Sequence, residues 1–476
     1  MQAGFAFLEA GSVRSQNTTS ILFKNFMDAV CGCVAYWAFG YAFAFGGGNA
    51  FIGTNHFFLS GIGLYGQELV KWFIHYVYGI TAATIVSGAM AERTQMKGYF
   101  IFTIICIGWI QPVIAHWAWA PQGWLFSGVI DENHNVTVRY MDFAGSSVIH
   151  VVGGASALVG AAVVGARRGR FDERGRSSMI SSNTTTMSTL GGFIILFGFF
   201  SFNLLSTGDL SKPNTGGVLG LIAVNCIMAA SGGSLSSLIY RRFSDKVNQQ
   251  WSLVSAINGS LAGLVAISAC ANSVYSYCAF VIGVISGVVY SFVAKLVENK
   301  RLDDPLDAIA VHFGGGVCGI LCVPFLDANM GLFYKGNKVS MLLLGWNLCG
   351  LLVIIVWTLM WASLIFGIMS WLNILRVTSD EERRGLDIVK HGERAYPYQV
   401  NVQDRSSSLT LCEALTNMYS GMPTARNVKH ENSSHDKATG DGNAAEKGAK
   451  EEAGVGSSKA SLHSSDCVEI DPVSVV

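Results

Sequence analysis

Long apolar runs, separated by short polar stretches, dominate the chain up to about residue 372. A helical run of about twenty apolar residues is long enough to cross the ~30 Å hydrocarbon core of a bilayer. The pattern therefore predicts a partial first helix and ten full membrane-spanning helices. The partial helix covers residues 1–12, and the full helices lie near 26–47, 68–90, 98–119, 143–166, 185–206, 217–240, 251–270, 275–297, 307–326 and 341–372.

The first apolar run holds only about ten residues, which is too few to cross a ~30 Å core. We expect either a first helix that is truncated in this sequence or a half-helix that is buried against its neighbours.

Composition supports a membrane protein. Hydrophobic residues make up 51% of the 476 residues and charged residues only 13%, against about 25% charged in soluble domains. We therefore expect an all-α polytopic protein whose partner is the lipid bilayer. The formal net charge is zero, so no overall basic field attracts nucleic acid. Neither metal-ligand spacing nor a hydrolase motif occurs in the sequence. We therefore expect that the protein is not an enzyme, with no catalytic residue, metal or cofactor.

Lysine and arginine are concentrated in alternate loops, above all in the run of residues 167–176. The positive-inside rule places these loops in the cytoplasm, with the N-terminus outside and the C-terminus inside. In this topology the sequon at Asn135 lies in an outer loop and is a possible glycosylation site.

A change of composition after Leu375 divides the chain. Residues 1–375 are predicted to form the transmembrane domain, and the charged residues 376–400 a cytoplasmic juxtamembrane regulatory module that docks on a neighbouring subunit. Residues 401–476 are rich in Ser, Lys, Glu, Gly and Ala, so we expect a disordered cytoplasmic tail.

Two stretches repeat one frame, MDFAGSSVIHVVGG and DDPLDAIAVHFGGG. In each, an aspartate (Asp142 or Asp304) is followed eight residues later by a histidine (His150 or His312) and then by paired glycines. An ionisable group within a span is a functional hypothesis by default, although a lone histidine can simply bond a neighbouring helix. The repetition favours a paired site between two inverted five-helix halves, spans 1–5 and 6–10, followed by span 11.

Carboxylates stand where both helices begin. Asp142 precedes span five, while Asp304 and Asp307 open span ten. A carboxylate in the first turn caps the helix and compensates its dipole. Asp142 lies on the predicted outer side, where it would also attract a cation.

Aromatic residues collect near the predicted outer ends, including Tyr78 in span three and Trp119 at the end of span four. An interfacial aromatic belt explains most of them, but a cation held on a ring face needs the same rings at a pore mouth. In span six, Phe202 offers a ring and Ser206 a hydroxyl acceptor, with ordinary packing as the alternative.

With these residues assembled, the chain resembles the ammonium transporter family (Amt/Mep/Rh), nearer to Amt than to Rh. The resemblance rests on GFAFLEAGSVRSQN, ATIVSGAMAERTQ, PVIAHWAWAP, MDFAGSSVIHVVGG, GFFSFN, DDPLDAIAVHFGGGVCGIL and LRVTSDEERRGLDIVKHGERAYP. It implies an eleven-helix plasma-membrane homotrimer in which each subunit has its own pore for ammonium or ammonia, with methylammonium as an analogue.

The resemblance also implies roles for single residues. The family's twin pore histidines match His150 and His312, and its conserved aspartate matches Asp142. The outer recruitment site matches Trp119 and Ser206.

The family's two stacked gate phenylalanines match Tyr78 and Phe202, so that Tyr78 stands where phenylalanine is usual. Its ring still supports cation binding at the mouth, but its hydroxyl changes the polarity of the gate.

The expected function is recruitment of NH4+ at the outer aromatic site, deprotonation, and passage of NH3, with or without the proton, between the histidines. Two alternatives stay open: an Rh-type electroneutral channel for ammonia or carbon dioxide, and an ammonium sensor. The tryptophan at position 119 and the Amt-like segment after Leu375 argue against the first alternative.

Overall fold

The computed structural model of the chain describes residues 1–131, 136–208, 213–244 and 249–396, which are almost entirely helical. The possible glycosylation site at Asn135 and the predicted disordered tail, residues 401–476, lie outside the described residues. Two short antiparallel strands, β1 (Val129–Asp131) and β2 (Val136–Val138), form a hairpin.

The α-helices of the described residues are numbered in chain order. They are α1 Gln2–Ser12, α2 Thr18–Ala35, α3 Tyr41–Phe45, α4 Gln67–Ala89, α5 Met96–Ile105, α6 Gln111–Trp119, α7 Trp124–Ser127, α8 Val152–Val164, α9 Thr185–Leu205, α10 Thr215–Ser244, α11 Leu253–Ile267, α12 Ser276–Asn299, α13 Gly315–Leu326, α14 Lys338–Trp371 and α15 Ser379–Arg384.

Wider helical turns with π-type hydrogen bonding extend several of these helices. They are Tyr36–Gly40 between α2 and α3, Cys106–Ile110 between α5 and α6, Ser146–Val151 before α8, Ile309–Gly314 before α13 and Asp387–His391 after α15.

Across the described residues, nine helical stretches are long and apolar enough to cross a membrane. With α1 and α11 they account for every predicted span, and this confirms the all-α polytopic architecture. The first full stretch begins at Ser15 rather than near residue 26. The carboxylate of Asp387 explains the early start, because it accepts hydrogen bonds from the backbone N–H groups of Thr19 (3.0 Å) and Ser20 (2.8 Å) at the start of α2.

The span predicted at 251–270 is shorter than expected, because α11 ends at Ile267. The backbone carbonyls that follow are used elsewhere: Ser268 accepts a hydrogen bond from the N–H of Ala144 (2.7 Å), and Ala269 accepts one from Phe143 (2.9 Å). The irregular backbone before His150 is thereby paired with the irregular end of α11. Such pairing is needed wherever non-helical backbone lies at membrane depth.

Small residues set the closest helix contacts. A Cβ atom at Gly11 of α1 would lie 2.3 Å from the backbone nitrogen of Ser188 on α9, and one at Gly191 of α9 would lie 2.1 Å from that of Leu8. The short helix α1 therefore lies directly against the backbone of α9, as small residues at membrane-helix contacts permit. At the centre of the bundle, α8 packs against α4 and α14.

Charged side chains form a buried cluster where the loops after α4, α8 and α12 meet. The guanidinium of Arg167 binds Glu92 (2.6 Å) and Asp303 (2.8 Å), and Arg14 also bonds Glu92. Burial raises the pKa of Asp303, but the hydrogen bond from Arg167 and the charge of Arg93 outweigh burial and lower that pKa to about 2. The stabilisation by Asp303 is therefore fully present at neutral pH and is lost as the pH falls from about 4 through 2.

The segment after α14 packs beside the buried charged cluster, at the end of α8. Arg376 donates hydrogen bonds to the backbone carbonyls of Val164 (2.7 Å) and Ala166 (2.8 Å), and it pairs with Glu382 (2.9 Å). The α15 helix begins with a capping box between Thr378 and Glu381. The regulatory role of this segment and its docking on a neighbouring subunit stay predictions.

We predict that Arg167→Ala destabilises the protein by about 3–5 kcal/mol, because it leaves the buried carboxylates of Glu92 and Asp303 without their shared partner. Thermal denaturation in detergent, monitored by the circular dichroism of the helices, measures the change. Arg174→Ala, at an exposed position of the same loop, is the matched control and should leave the midpoint unchanged. Equal midpoints for the two variants would contradict the prediction.

Candidate functional site

The two histidines of the repeated frame meet at the centre of the molecule. His150 lies in the wide turn Ser146–Val151 and His312 in the wide turn Ile309–Gly314. Their Nδ1 atoms are 3.2 Å apart, and their rings are nearly parallel, with centroids 5.2 Å apart. Both are deeply buried, with exposed fractions of 0% and 4%.

Capping carboxylates allow these turns to begin inside the protein. Both oxygens of Asp142 are used: Oδ1 accepts hydrogen bonds from the N–H groups of Gly145 (3.0 Å) and Ser146 (2.7 Å), and Oδ2 from those of Ser147 (2.7 Å) and Val148 (3.0 Å). The hydroxyl of Ser147 adds a bond of 2.6 Å to Oδ2. The helix-capping interpretation therefore accounts for the whole Asp142 side chain.

The second copy of the frame is capped in the same way, since Asp304 Oδ2 accepts a hydrogen bond of 2.7 Å from the N–H of Ile309. Asp307 differs from the expectation for a first-turn carboxylate. It bonds the Tyr290 hydroxyl (3.0 Å) and the Asn258 amide (3.4 Å) rather than helix N–H groups. Its φ of 57° matches the left-handed φ of 91° at Gly145, which occupies the same place in the first copy.

Glycine allows the two histidine-bearing helices to touch backbone to backbone. A Cβ atom at Gly154 would lie 2.3 Å from the backbone nitrogen of Phe313, the residue after His312. Reciprocally, a Cβ atom at Gly316 would lie 2.8 Å from the side chain of Val151, the residue after His150. These matching contacts fix the distance between the two imidazole rings.

Apolar rings surround the histidine pair. The ring centroid of His150 lies 5.5 Å from that of Phe199 and 5.9 Å from that of Phe202, and Phe5 lies 6.2 Å from His312. Among the described residues, Nε2 of His150 is buried without a hydrogen-bond partner. An unpartnered buried nitrogen is costly and suits a transient polar ligand.

A vestibule of about 830 Å³ opens on one side of this pair, lined in part by Tyr78, Trp119 and Ser206. The indole N–H of Trp119 donates to the carbonyl oxygen of Asp142 (2.8 Å), so the capped turn also holds this ring. The predicted recruitment residues therefore do lie together.

The predicted gate separates the vestibule from the histidines. The rings of Tyr78 and Phe202 are 4.4 Å apart, and Trp119 lies 5.9 Å from Tyr78. The hydroxyl of Tyr78 is 2.5 Å from Ser206 Oγ and donates within 3.1 Å of the Phe202 carbonyl oxygen. Trp119, Tyr78 and Phe202 thus form an unbroken series of ring contacts from the vestibule to His150. At the vestibule end of this series, the Tyr78 hydroxyl is hydrogen-bonded to Ser206.

Sequence reasoning missed three residues of the vestibule. The His75 ring lies 5.3 Å from both Tyr78 and Trp119, and Lys71 Nζ lies 3.8 Å from the Phe45 ring centroid. The missed signal was the spacing in α4, since Lys71, His75 and Tyr78 are four and three residues apart and share one helix face.

The arrangement suits a small polar solute. Ring faces and a hydroxyl lie on the vestibule side of Tyr78 and Phe202, and two imidazoles lie among apolar rings on the other side. Within the ranges that the structure describes, no three His, Cys, Asp or Glu side chains are grouped to hold a metal ion.

Comparison with known proteins assigns most of the chain to one family. Residues 1–396 match the Ammonium Transporter Family. A putative ammonium transporter 1 of Caenorhabditis elegans is 38% identical over 415 residues, covering 83% of this chain and 76% of its own length. Ammonium transporter 1 member 1 of Arabidopsis thaliana is 34% identical over 411 residues, covering 82% and 81%.

Solved structures share the architecture. A protein described as "Sensor Amt Protein" superposes with a TM-score of 0.73 at 32% identity, covering 82% of this chain and 94% of its own. Candida albicans Mep2 superposes with a TM-score of 0.69 at 24% identity, covering 80% and 83%, which supports the fold alone. The chain therefore belongs to the ammonium transporter family and has the multi-pass helical architecture of Amt and Mep proteins.

Proposed function

We propose that the protein moves ammonium across the plasma membrane by recruiting NH4+ in the vestibule, deprotonating it near the gate and passing NH3 along the histidine pair. One observation carries this proposal: the vestibule, the Tyr78–Phe202 gate and the His150–His312 pair form one continuous series within a single chain. Because each chain holds the whole series, every subunit of the proposed homotrimer has its own pore.

Recruitment depends on replacing the water around a small cation. The faces of Trp119 and Tyr78 offer cation–π attraction of about 0.5–2 kcal/mol each, and the Ser206 oxygen can accept an N–H donor. The side-chain ammonium group of Lys71 lies 3.8 Å from the Phe45 ring centroid in the same vestibule, which supports the proposal that an aromatic face there can hold a small cation.

Deprotonation follows from the cost of charge in the channel. An unpaired cation among the rings of Phe199, Phe202 and Phe5 would lose its hydration without compensation, so the neutral molecule is favoured there. Neutral ammonia can donate to and accept from imidazoles. Because the two Nδ1 atoms share one hydrogen bond, one ring donates and the other accepts, so their outer Nε2 atoms have opposite roles.

Orientation follows the positive-inside prediction, with the vestibule outside and the ionic cluster of Glu92, Arg167 and Asp303 in the cytoplasm. The similarity to a protein described as a sensor supports a second candidate function, ammonium sensing by the same pore. A variant without transport that still alters a cellular response to ammonium would favour sensing. Uptake without any ammonium-evoked current would instead favour the electroneutral gas channel.

Replacing both pore histidines in a His150→Leu, His312→Leu variant should abolish labelled methylammonium uptake or remove the preference for ammonium over potassium, because no imidazole then pairs with the solute. Uptake and competition in cells lacking other ammonium transporters measure this. His463→Leu, in the predicted cytoplasmic tail, is the control and should behave as the parent protein. Unchanged uptake and selectivity in the double variant would refute the proposed pore.

Replacing Tyr78 by phenylalanine should lower the half-saturating ammonium concentration by up to about fivefold, the equivalent of one buried hydrogen bond of ~1 kcal/mol. The reason is that Ser206 no longer shares its oxygen with the tyrosine hydroxyl and can accept from ammonium instead. Concentration-dependent uptake measures the effect. Adding Ser206→Ala should remove the gain, and an unchanged value for Tyr78→Phe would contradict this role of the hydroxyl pair.

The segment of residues 376–400 is proposed to control transport. A chain that stops after Leu375 should lose most uptake, because it lacks the Arg376 bonds to the end of α8 and the Asp387 cap of α2. A chain that stops after Gln399 keeps those contacts and should retain uptake. Equal uptake by the two truncations, at equal surface expression, would exclude this role.

A further inference from the structure

Glu9 is a buried carboxyl group that the proposed pathway does not yet use. It stands in the apolar sequence of α1 and has an exposed fraction of 1%. Its Oε2 atom accepts hydrogen bonds from the Asn25 amide (2.7 Å) and the Ser87 hydroxyl (3.0 Å). A carboxyl group at this depth is costly and needs a reason.

A small cavity joins Glu9 to His312, one member of the histidine pair. Its volume is about 20 Å³, and its wall includes Glu9, Gly88, Asn258, Leu306 and His312. The Oε1 atom of Glu9 points towards it, since this atom would lie 3.4 Å from a Cβ atom at Gly88. A cavity of this size holds about one water molecule. Because His150 engages Nδ1 of His312, Nε2 is the His312 nitrogen available to a group in the cavity.

The cavity lies on the side of the histidines away from the vestibule. Tyr78 lines the vestibule and Gly88 lines the cavity, and both belong to α4. The two residues are ten helical positions apart, which corresponds to about 15 Å along the helix axis. The order along the molecule is therefore vestibule, gate, His150, His312 and Glu9.

The charges near Glu9 allow it to change protonation state. Lys24 has an exposed fraction of 1%, and its Nζ lies 5.3 Å from the Tyr99 ring centroid. The carboxylate of Asp28 accepts hydrogen bonds from Tyr99 (2.6 Å), Thr103 (2.9 Å) and Thr84 (3.2 Å). Lys24, Glu9 and Asp28 together carry no net charge when one of the two carboxyl groups is protonated. They carry one negative charge when neither carboxyl group is protonated. Asp28 already has three donors, whereas Glu9 lines the cavity beside His312, so Glu9 is the carboxyl placed to exchange that proton.

We propose that Glu9 accepts the proton of the transported ammonium from His312 and releases it towards the cytoplasm. This inference rests on the proposed transport function. An N–H bond of ammonium breaks and its electron pair stays on nitrogen, giving ammonia. The proton binds His150, a proton passes from His150 Nδ1 to His312 Nδ1, and His312 Nε2 gives one to Glu9, directly or through one water. Glu9 then returns it to cytoplasmic water, so one ammonium ion outside becomes one ammonia molecule and one proton inside.

The test is the charge moved per molecule taken up by the full chain, measured as current and labelled methylammonium uptake in the same voltage-clamped cells. Glu9→Gln keeps the size of the side chain and an oxygen for Asn25 and Ser87, but it cannot take up a proton. We expect uptake to continue while the charge per molecule falls by about tenfold, because a charged imidazole without an acceptor is unfavourable in the channel.

Glu173→Gln is the matched control, since it makes the same exchange of a carboxyl for an amide at an exposed position of the loop after α8, and its charge per molecule should equal that of the parent protein. Glu9→Asp, which draws the carboxyl back from the cavity by one methylene, should give an intermediate ratio and serves where Glu9→Gln does not reach the membrane. An unchanged ratio in whichever of these two variants is expressed, or uptake without current in the parent protein, would overturn the role of Glu9. Absence of any uptake by the parent protein would instead refute the transport function itself.

Discussion

Backbone polar groups inside a membrane must find partners within the protein, and the central architecture depends on how this chain meets that requirement. The two histidine-bearing segments begin their helices below the surface, where water cannot satisfy the first N–H groups. Asp142 and Asp304 satisfy them instead. Once capped, each segment can place a histidine one to two turns further in, and the paired glycines bring the two segments into backbone contact.

Several parts of this arrangement were predictable from the sequence. Apolar length gave the spans, and the repeated Asp-x7-His frame indicated which polar residues belong together. The frame could not reveal that Gly145 and Asp307 occupy equivalent left-handed positions, because their side chains have nothing in common. It also could not show that α11 stops at Ile267, since that end depends on hydrogen bonds with residues more than a hundred positions earlier in the chain.

The vestibule shows a different limit of sequence reasoning. Single residues such as Trp119 and Ser206 stood out by type, whereas Lys71 and His75 looked like ordinary polar positions at the start of a span. Their importance lies in the helix face that they share with Tyr78 and in rings supplied by distant segments, such as Phe45. Glu9 is similar: its place is defined by Asn25, Ser87 and a cavity beside His312, all separated from it in sequence.

The hydrogen bond between the two Nδ1 atoms has a consequence for repeated turnover. When a proton enters at Nε2 of one imidazole and another leaves from Nε2 of the next, both rings finish in the opposite tautomer. The nitrogen that first accepted the incoming proton now carries a hydrogen, and the nitrogen that first donated a proton now carries none. The pair therefore cannot pass a second proton in the same direction. Each cycle therefore needs a resetting event, and a solute that both donates and accepts hydrogen bonds can supply it as it moves along the rings. In the proposed relay, passage of the neutral molecule is therefore coupled to passage of the proton, because the solute restores the tautomers that the proton transfer has reversed.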